Sequence, residues 1–259
     1  MANVDKPAGS FCWVELATTD QSAAKAFYTS LFGWTVTDYP MGASGAYSMF
    51  RLHERDAAAG YTLGKDQLAR GTPVHWSLYI AVDNADEATK KATQAGATII
   101  MPPSDVMNAG RMAVIHDPTG AVFSVWEAKD NQGIGVSGEN GSLCWADLST
   151  GDPASGAKFY STLFGWEITR APNDPSGYLH IKNGEHFIGG IPPAEHRDPQ
   201  WGSHWLIYFL VADVAATAAK AAQLGARTLM PAQDMAGVGT WAILADPQGA
   251  VFAIFKSAR

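Results

Sequence analysis

The sequence predicts an α+β protein made of two similar halves, each built from two βαβββ modules. A helical motif occurs twice, at Phe27–Trp34 and Phe159–Trp166, with the same aromatic pair and the same Leu-Phe-Gly-Trp ending. A turn motif of the form Asp-Pro-x-Gly-Ala-Val-Phe also occurs twice, at Asp117–Phe123 and Asp246–Phe252. Because both motifs recur in the same order, we infer an internal duplication.

Composition restricts the class of protein further. The 259 residues suffice for two domains of ordinary size, and 47% hydrophobic with 17% charged residues is typical of a compact, soluble protein. A formal net charge of −7 argues against a nucleic-acid partner, which requires a basic face. The N-terminal residues lack the apolar core of a signal peptide, and no apolar run reaches the roughly 18 residues of a membrane span. We therefore expect a cytoplasmic protein that contacts no membrane.

Two cysteines, Cys12 and Cys144, occupy equivalent positions, each directly before a tryptophan. Their spacing matches no zinc site. We expect them to be small buried residues in a reducing compartment.

The first module begins with a predicted strand over Phe11–Ala17. Alternation places Trp13 and Glu15 on one face and the aliphatic Val14 and Leu16 on the other. The aliphatic face is expected to pack against the helix that follows.

That helix is predicted to begin after Thr19 or Asp20, whose side-chain oxygens can accept hydrogen bonds from its first N–H groups. It is predicted to end at Gly33, which tolerates a left-handed conformation. Three shorter strands, at 34–39, 47–52 and 58–63, complete the βαβββ order.

The second module is predicted to repeat this order. Its first strand places His75, Ser77 and Tyr79 on the same face as Glu15, while Trp76 points toward the helix. The other predicted parts are a polar loop at 64–73, a helix that closes at residue 96, and strands at 97–101, 111–116 and 121–127. The Met-Pro pairs at 101–102 and 230–231 are expected to end strands.

A glycine-rich polar stretch at 130–141 is typical of a flexible linker. We therefore assign a first domain to residues 1–128, a linker to 129–141 and a second domain to 142–259. The second half is predicted to contain strands at 143–148, 204–211 and 251–255 and helices at 153–164 and 214–224.

These motifs resemble the vicinal oxygen chelate superfamily, which includes glyoxalase I, extradiol dioxygenases and bleomycin resistance proteins. The resemblance rests on Asp20, Phe27-Tyr28, Leu31-Phe32-Gly33-Trp34 and Asp117-Pro118-Thr119-Gly120, and it covers nearly the whole chain. The chain is similar in its tandem organisation to glyoxalase-like proteins of antibiotic-producing bacteria. The resemblance implies four βαβββ modules that form two glyoxalase-like curved-sheet cups. Neighbouring modules can pair, or modules can exchange between halves or chains, so the pairing and a homodimer both stay open.

Members of this superfamily hold a divalent metal with His, Gln or Glu from the first and last strands of the modules. Counting from the two motifs, the resemblance places these positions at Trp13, Ser77, Ser124 and either Ala59 or Gly60, and, in the second half, at Trp145, Leu206, Ala253 and either Gly189 or Gly190. None of these side chains suits a hard or borderline cation. We expect no metal and no other cofactor, unless the count slips by a residue or two and Glu15, His75 or His204 become ligands.

Five side chains on the predicted concave faces recur in both halves. An indole, an acid, an imidazole and two phenols could stack on a flat ligand and bind its polar edge. The catalytic candidates are Glu15, His75 and Tyr79. The binding candidates are Trp13, Tyr47, Ser77, Ser124, Trp126, Trp145, Asp147, Tyr178, His204 and Tyr208.

Structural explanations stand beside these roles. Trp13 and Trp145 could be core residues, and the two histidines could close strand ends. The serines could be structural. Glu15 and Asp147 are harder to explain this way, because a carboxylate inside a strand needs a partner or water.

Two kinds of function follow for a small-molecule partner. The first is metal-independent binding of an aromatic or apolar metabolite. The second is a metal-free isomerase, cyclase or accessory hydroxylase-type enzyme, in which Glu15 beside His75 would raise the histidine pKa and form an acid/base pair. A metal-dependent lyase or dioxygenase is the third candidate.

Overall fold

The computed structural model describes residues 6–42, 45–172, 174–198 and 200–258. The first half contains β1 (Phe11–Thr18), α1 (Gln21–Phe32), β2 (Thr35–Pro40), β3 (Ala46–Leu52), β4 (Arg55–Thr62), α2 (Lys65–Ala69), β5 (His75–Ala81), α3 (Ala85–Gln94), β6 (Thr98–Val106), β7 (Gly110–His116) and β8 (Val122–Ala128). The second half contains β9 (Leu143–Ser149), α4 (Pro153–Phe164), β10 (Glu167–Arg170), β11 (Leu179–Asn183), β12 (His186–Ile191), β13 (His204–Leu210), α5 (Val214–Gln223), β14 (Arg227–Met235), β15 (Gly239–Ala245) and β16 (Val251–Ser257).

Each half forms one eight-stranded curved sheet. The strand orders are β2-β3-β4-β1-β5-β8-β7-β6 and β10-β11-β12-β9-β13-β16-β15-β14. The first strands of consecutive modules, β1 with β5 and β9 with β13, pair antiparallel at the sheet centre. The predicted α+β class with four βαβββ modules is therefore confirmed, and the open question of pairing is answered by neighbouring modules.

The duplicated helices begin and end at equivalent residues. The Asp20 side chain accepts from the backbone N–H of Ala23, so Asp20 is the cap of α1, and Asp152 caps α4 in the same way. Gly33 follows α1 with a φ of 72°, a left-handed conformation that favours glycine. The helix prediction is therefore accurate at both ends.

The prediction that the Met-Pro pairs end strands is wrong. β6 continues past Met101-Pro102 to Val106, with register shifts on either side of Met101. β6 is the last strand of its sheet, where a proline without an N–H leaves no ladder bond unmade. The predicted polar loop also contains the short helix α2. The Gln67 side chain in this helix accepts a hydrogen bond at 2.9 Å from the N–H of Gly64, the residue that precedes the helix.

The glycine-rich stretch is packed against the first half, in contrast to the expected flexible linker. The N–H of Ile134 donates to the Cys12 carbonyl at 2.8 Å, and that of Gly135 to the Asp56 carbonyl at 2.6 Å. Ile134 and Val136 are both buried. Two apolar side chains among the glycines are enough to attach the stretch to the core.

The two halves contact each other through their helix-covered faces. Trp76 of β5 lies 5.4 Å from Phe209 of β13 between ring centroids, and Tyr28 of α1 lies 5.7 Å from Phe252 of β16. Because the helix-covered faces meet, the two concave faces point away from each other. We call the concave face of the first sheet the first cup, and that of the second sheet the second cup.

The two sequence motifs are hydrogen-bonded to each other across this interface. The Tyr28 hydroxyl donates to Asp246 Oδ2 at 3.0 Å and accepts from the Trp76 indole at 3.0 Å. The reciprocal set is formed by Tyr160, Asp117 and Trp205, with distances of 2.9 and 2.8 Å. Burial raises the pKa of Asp246 and, together with the charge of Asp246, raises that of Tyr28 well above its usual value.

The cysteine thiols are packed within the sheets. Cys12 is buried and Cys144 half-buried, and their sulfurs contact the carbonyls of Tyr79 and Tyr208. Burial raises the pKa of each thiol to about 12, so neither is a reactive thiolate near neutral pH. Within the described residues, no helix has the length and apolar character to traverse a bilayer.

Candidate functional site

Strand register determines which side chains share the first cup. In β1, Glu15 lies opposite Ser77 of β5 and Ala59 of β4, and Trp13 lies opposite Tyr79. Ser124 of β8 pairs with Tyr79 on its other side. Paired residues point to the same side of a sheet, so the candidates predicted from alternation share one surface.

A carboxylate bound by two tyrosines lies at the centre of the first cup. Glu15 Oε2 accepts from the Tyr47 hydroxyl at 2.7 Å, and Oε1 accepts from the Tyr79 hydroxyl at 3.1 Å. The Trp13 indole donates to the Tyr47 hydroxyl at 3.1 Å. We call such a group an acid–tyrosine cluster.

The second cup contains the same cluster. Asp147 Oδ1 accepts from Tyr178 at 2.5 Å and Oδ2 from Tyr208 at 2.8 Å. The Trp145 indole donates to Asp147 Oδ1 at 3.0 Å and to the Tyr178 hydroxyl at 2.9 Å. The arrangement therefore survives the exchange of glutamate for aspartate.

A glycine accompanies the shorter acid. The aspartate carboxyl lies one methylene closer to the sheet, so its tyrosine must approach the sheet more closely. A Cβ on Gly190 would lie 2.0 Å from the Tyr178 hydroxyl, whereas Ala59 occupies the corresponding place beside Glu15. Gly190 thus makes room for the tyrosine that Asp147 binds.

Burial sets the protonation behaviour of both clusters. It raises the pKa of Glu15 and of Asp147, and the donated tyrosine hydrogen bonds oppose this by stabilising the charged form. Burial and the neighbouring acid raise the pKa of Tyr79 and of Tyr208 well above the usual value. The tyrosines consequently remain donors, and each acid can take up a proton more readily than in water.

The expected pair of Glu15 with His75 is not formed. His75 lies opposite Ala17, two positions along the strand, and its Nδ1 is 2.8 Å from the Pro73 carbonyl. Burial lowers the pKa of His75, in contrast to the expected rise. The physical reason is strand register, which places Ser77 opposite Glu15 and His75 opposite Ala17.

The histidine tautomer follows from the same contact. A carbonyl can only accept, so the proton of neutral His75 is on Nδ1 and Nε2 is an acceptor. His204 has the same arrangement, with Nδ1 2.9 Å from the Gly202 carbonyl and a pKa lowered by burial. In both histidines Nδ1–H therefore donates to a backbone carbonyl at the start of a strand. Nε2 remains able to accept a hydrogen bond.

The residues present do not fit the divalent metal of the superfamily. Register assigns Ala59 and Gly190, not Gly60 or Gly189, to the cup-facing positions beside the acids. Across the described part of the chain, no group of three or more His, Cys, Asp or Glu side chains could hold a metal ion. A shift of one or two residues would bring in Glu15, His75 or His204, but His75 lies opposite Ala17 and not Glu15, so no ligand set is completed among the described residues.

Trp126 lies two residues after Ser124 in β8 and therefore faces the first cup. The indole of Trp126 donates to the Asn131 carbonyl at 2.9 Å, so this residue offers its ring, which stands edge to face with Tyr79 at 6.4 Å. Trp13 and Trp126 are both largely buried, which also makes them part of the core. The packing and binding interpretations of these tryptophans are therefore compatible.

Two cup residues were not among the predicted ones. Tyr61 follows Ala59 on the same face of β4, and its hydroxyl accepts from Gln67 of α2 at 3.1 Å. His180 pairs with Gly190 in the second cup and stands 5.0 Å from the Tyr178 ring. Alternation within the strand predicted at 58–63 could have identified Tyr61, whereas the second half offered no predicted strand around His180.

A tandem pair of helix-backed curved sheets, each made of two βαβββ modules, defines a two-domain glyoxalase-type protein. The chain belongs to the Glyoxalase/Bleomycin resistance protein/Dioxygenase superfamily, whose family model matches residues 10–125, and a Glyoxalase-like domain model matches residues 145–255. The predicted family is confirmed.

Several relatives match over almost their full length. A Mycobacterium tuberculosis protein named "Putative glyoxylase CFP32" is 41% identical, with 95% of this chain and 94% of the relative covered. "Anthracycline biosynthesis protein DnrV" of Streptomyces peucetius is 34% identical over 96% of this chain and 93% of the relative.

Solved structures share the fold at low identity. The Mn(II)-bound glyoxalase from Novosphingobium aromaticivorans superposes with a TM-score of 0.66 at 15% identity, covering 97% of this chain and 83% of that one. The 2,3-dioxygenase LapB from Pseudomonas sp. KL28 gives 0.65 at 14% identity, covering 97% and 94%. At such identity the likeness extends to the fold alone.

Proposed function

We propose that the protein binds a small aromatic metabolite in its cups, without a metal. The acid–tyrosine cluster, present in both cups at the centre of the concave face, is the observation that carries this proposal. In this cluster, a hydrogen-bonding carboxylate surrounded by aromatic rings takes the place of a coordinated metal as the group that would bind the ligand. A flat ligand would stack on the rings and place a hydroxyl or carbonyl near the acid.

The side chains at the positions where the superfamily carries its metal ligands support this proposal. Trp13, Ser77 and Ser124 offer an aromatic face and hydroxyl groups, which suit an organic ligand, and none of them is an imidazole or carboxylate. A relative named for anthracycline biosynthesis also favours an aromatic ligand, because anthracyclines are planar polycyclic compounds. A buried apolar wall with a few polar groups is the usual composition of a small-molecule site.

Proton transfer to and from the ligand is a second candidate function. Its support is the raised pKa of Glu15, which brings the acid closer to the range in which a general acid/base exchanges protons. In such a reaction Glu15 would take a proton from one ligand atom and return it to another, and Tyr79 would stabilise the charge that develops. This would make the protein a metal-free isomerase or cyclase.

Native mass spectrometry of freshly purified protein tests the binding proposal. We expect a retained aromatic molecule in the wild type and its loss in the Glu15→Gln/Asp147→Asn variant. Glu54→Gln, a change on an exposed turn, is the matched control and should retain the ligand. A stoichiometric, tightly held divalent metal would contradict the proposal, and conversion of the retained molecule on incubation would favour the second candidate.

A further inference from the structure

Both cups contain an acid–tyrosine cluster, but the side chains on the strands beside the cluster differ between the cups. Ser77 lies opposite Glu15, whereas Leu206 lies opposite Asp147. Ser124 pairs with Tyr79, whereas Ala253 pairs with Tyr208. Two hydroxyl groups in the first cup therefore correspond to an isobutyl and a methyl group in the second.

The serine hydroxyls of the first cup have no hydrogen-bond partner among the residues that the structure describes. Ser124 is 3% exposed, and Ser77 is partly buried. Neither serine oxygen is among the buried side-chain atoms that lack a partner in the described part of the chain, so both can be reached by water or by a ligand in the cup. A polar substituent of a ligand in the first cup would satisfy these groups together with Glu15.

The corresponding surface of the second cup is a separate hydrophobic cluster. Leu206, Tyr208 and Ala253 are buried there, apart from the main core of the molecule. Partly buried apolar side chains surround them, namely Cys144, Trp145, Trp241, Ile243, Val251 and Phe255. Rings that are half-buried on a concave face can bury more area when an apolar ligand covers them.

The edges of the cups differ in the same direction. In the second cup the His180 ring stands 5.6 Å from Phe187, which is 56% exposed. Lys182 and Phe187 are paired across β11 and β12, and the corresponding pair across β3 and β4 is the ion pair of Arg51 with Asp56 at 2.8 Å. A lysine beside a phenylalanine ring, with its ammonium 5.5 Å from the ring centroid, thus replaces an ion pair.

We propose that the two cups bind ligands of different polarity: the first a hydroxylated aromatic compound, the second an apolar aromatic compound. This inference rests on the proposed function and adds a division between the two sites. The first cup provides Glu15, Ser77 and Ser124 as hydrogen-bonding groups. The second provides the apolar side chains of Leu206 and Ala253 in place of the two serines.

Fluorine NMR of protein labelled with 5-fluorotryptophan can test each cup separately. Trp13 and Trp126 report on the first cup and Trp145 and Trp241 on the second, with resonances assigned from single Trp→Phe variants. The probes are 2-naphthol and 2-methylnaphthalene, which have nearly the same shape and differ by a hydroxyl against a methyl. Because one net hydrogen bond is worth about 1.4 kcal/mol, we expect the ratio of the two affinities to differ about tenfold between the cups.

An exchange of residues provides the matched variants. Ser77→Leu/Ser124→Ala should remove the preference of the first cup for 2-naphthol, and Leu206→Ser/Ala253→Ser should create it in the second. Equal ratios in both cups, or an unchanged ratio in Ser77→Leu/Ser124→Ala, would overturn the division but leave the proposed function standing. If neither probe shifts any of the four resonances, the proposed function fails as well. Should an exchange variant not fold, the wild-type ratios decide alone.

Discussion

Replacing Tyr28 by phenylalanine should weaken the contact between the two halves. The hydroxyl accepts from Trp76 and donates to Asp246, and all three side chains are buried. Tyr28→Phe therefore leaves one donor and one acceptor without partners and creates almost no cavity. Each such group costs about 1–3 kcal/mol, so we expect the free energy of unfolding to fall by about 2–6 kcal/mol.

Urea denaturation followed by tryptophan fluorescence and circular dichroism measures this loss. Tyr160→Phe, the reciprocal change, should give a similar value. Tyr39→Phe is the matched control, because Tyr39 is 45% exposed and its hydroxyl accepts from Arg51 at the surface. We expect that control to change stability by less than about 0.5 kcal/mol.

The loss should depend on pH with a definite sign. Burial raises the pKa of Asp246 in the folded state, and the Tyr28 hydrogen bond opposes that rise. Without the bond the folded-state pKa of Asp246 rises further. The charged carboxylate is therefore penalised at pH values above that pKa, and the penalty disappears as the pH falls through it and the carboxylate is protonated. The cost of Tyr28→Phe should therefore be larger at pH 8 than at pH 5. A loss equal to that of Tyr39→Phe at both pH values would refute the reasoning.

Three further outcomes are expected. Glu15→Gln should stabilise the protein at pH 8, because it removes a partly buried acid whose raised folded-state pKa penalises its charged form. Thermal denaturation should show this gain shrinking toward pH 5, and an equal gain at both pH values would contradict the expectation. Gly190→Ala should displace Tyr178 from Asp147 and destabilise the protein by about 1–3 kcal/mol, while Gly202→Ala, whose added methyl meets nothing within 4 Å, should be near neutral in the same urea assay. Prolonged dialysis against EDTA should leave the melting temperature and 2-naphthol affinity unchanged, and added Mn²⁺ should not bind stoichiometrically; a metal-dependent change in either quantity would count against the proposed chemistry.

Hydrophobic periodicity and the residues that cap helices or form turns were sufficient to predict most of the fold. Asp20 and Gly33 mark the ends of α1 with local hydrogen bonds and a local backbone conformation, and such signals are readable from neighbouring residues. Alternation likewise placed Glu15 and Tyr79 on one face. Met101-Pro102 misled because a proline is excluded from a central strand but tolerated at a sheet edge, and edge position is set by tertiary pairing.

The site was harder to predict because it depends on contacts between distant strands. Alternation gives the face of His75 and Tyr79 but not which of them reaches Glu15, which requires the register of β1 against β5. The Tyr28–Asp246 bond joins residues far apart in the chain, so two motifs that were separately visible gave no sign of their contact. The partnership of Gly190 with Asp147 is a steric compensation that residue types alone do not reveal.

The reciprocal bonds between Tyr28 and Asp246 and between Tyr160 and Asp117 mean that neither half is self-sufficient. A fragment such as 1–128 would expose the Tyr28 phenol and the Asp117 carboxyl to water unless it associated with a second copy of itself. The duplicated sequence and the reciprocal bonds are what fusion of two copies of a self-associating ancestor would produce. Once the copies were tethered, symmetry no longer forced both concave faces to bear the same side chains, and Ser77 and Leu206 could diverge.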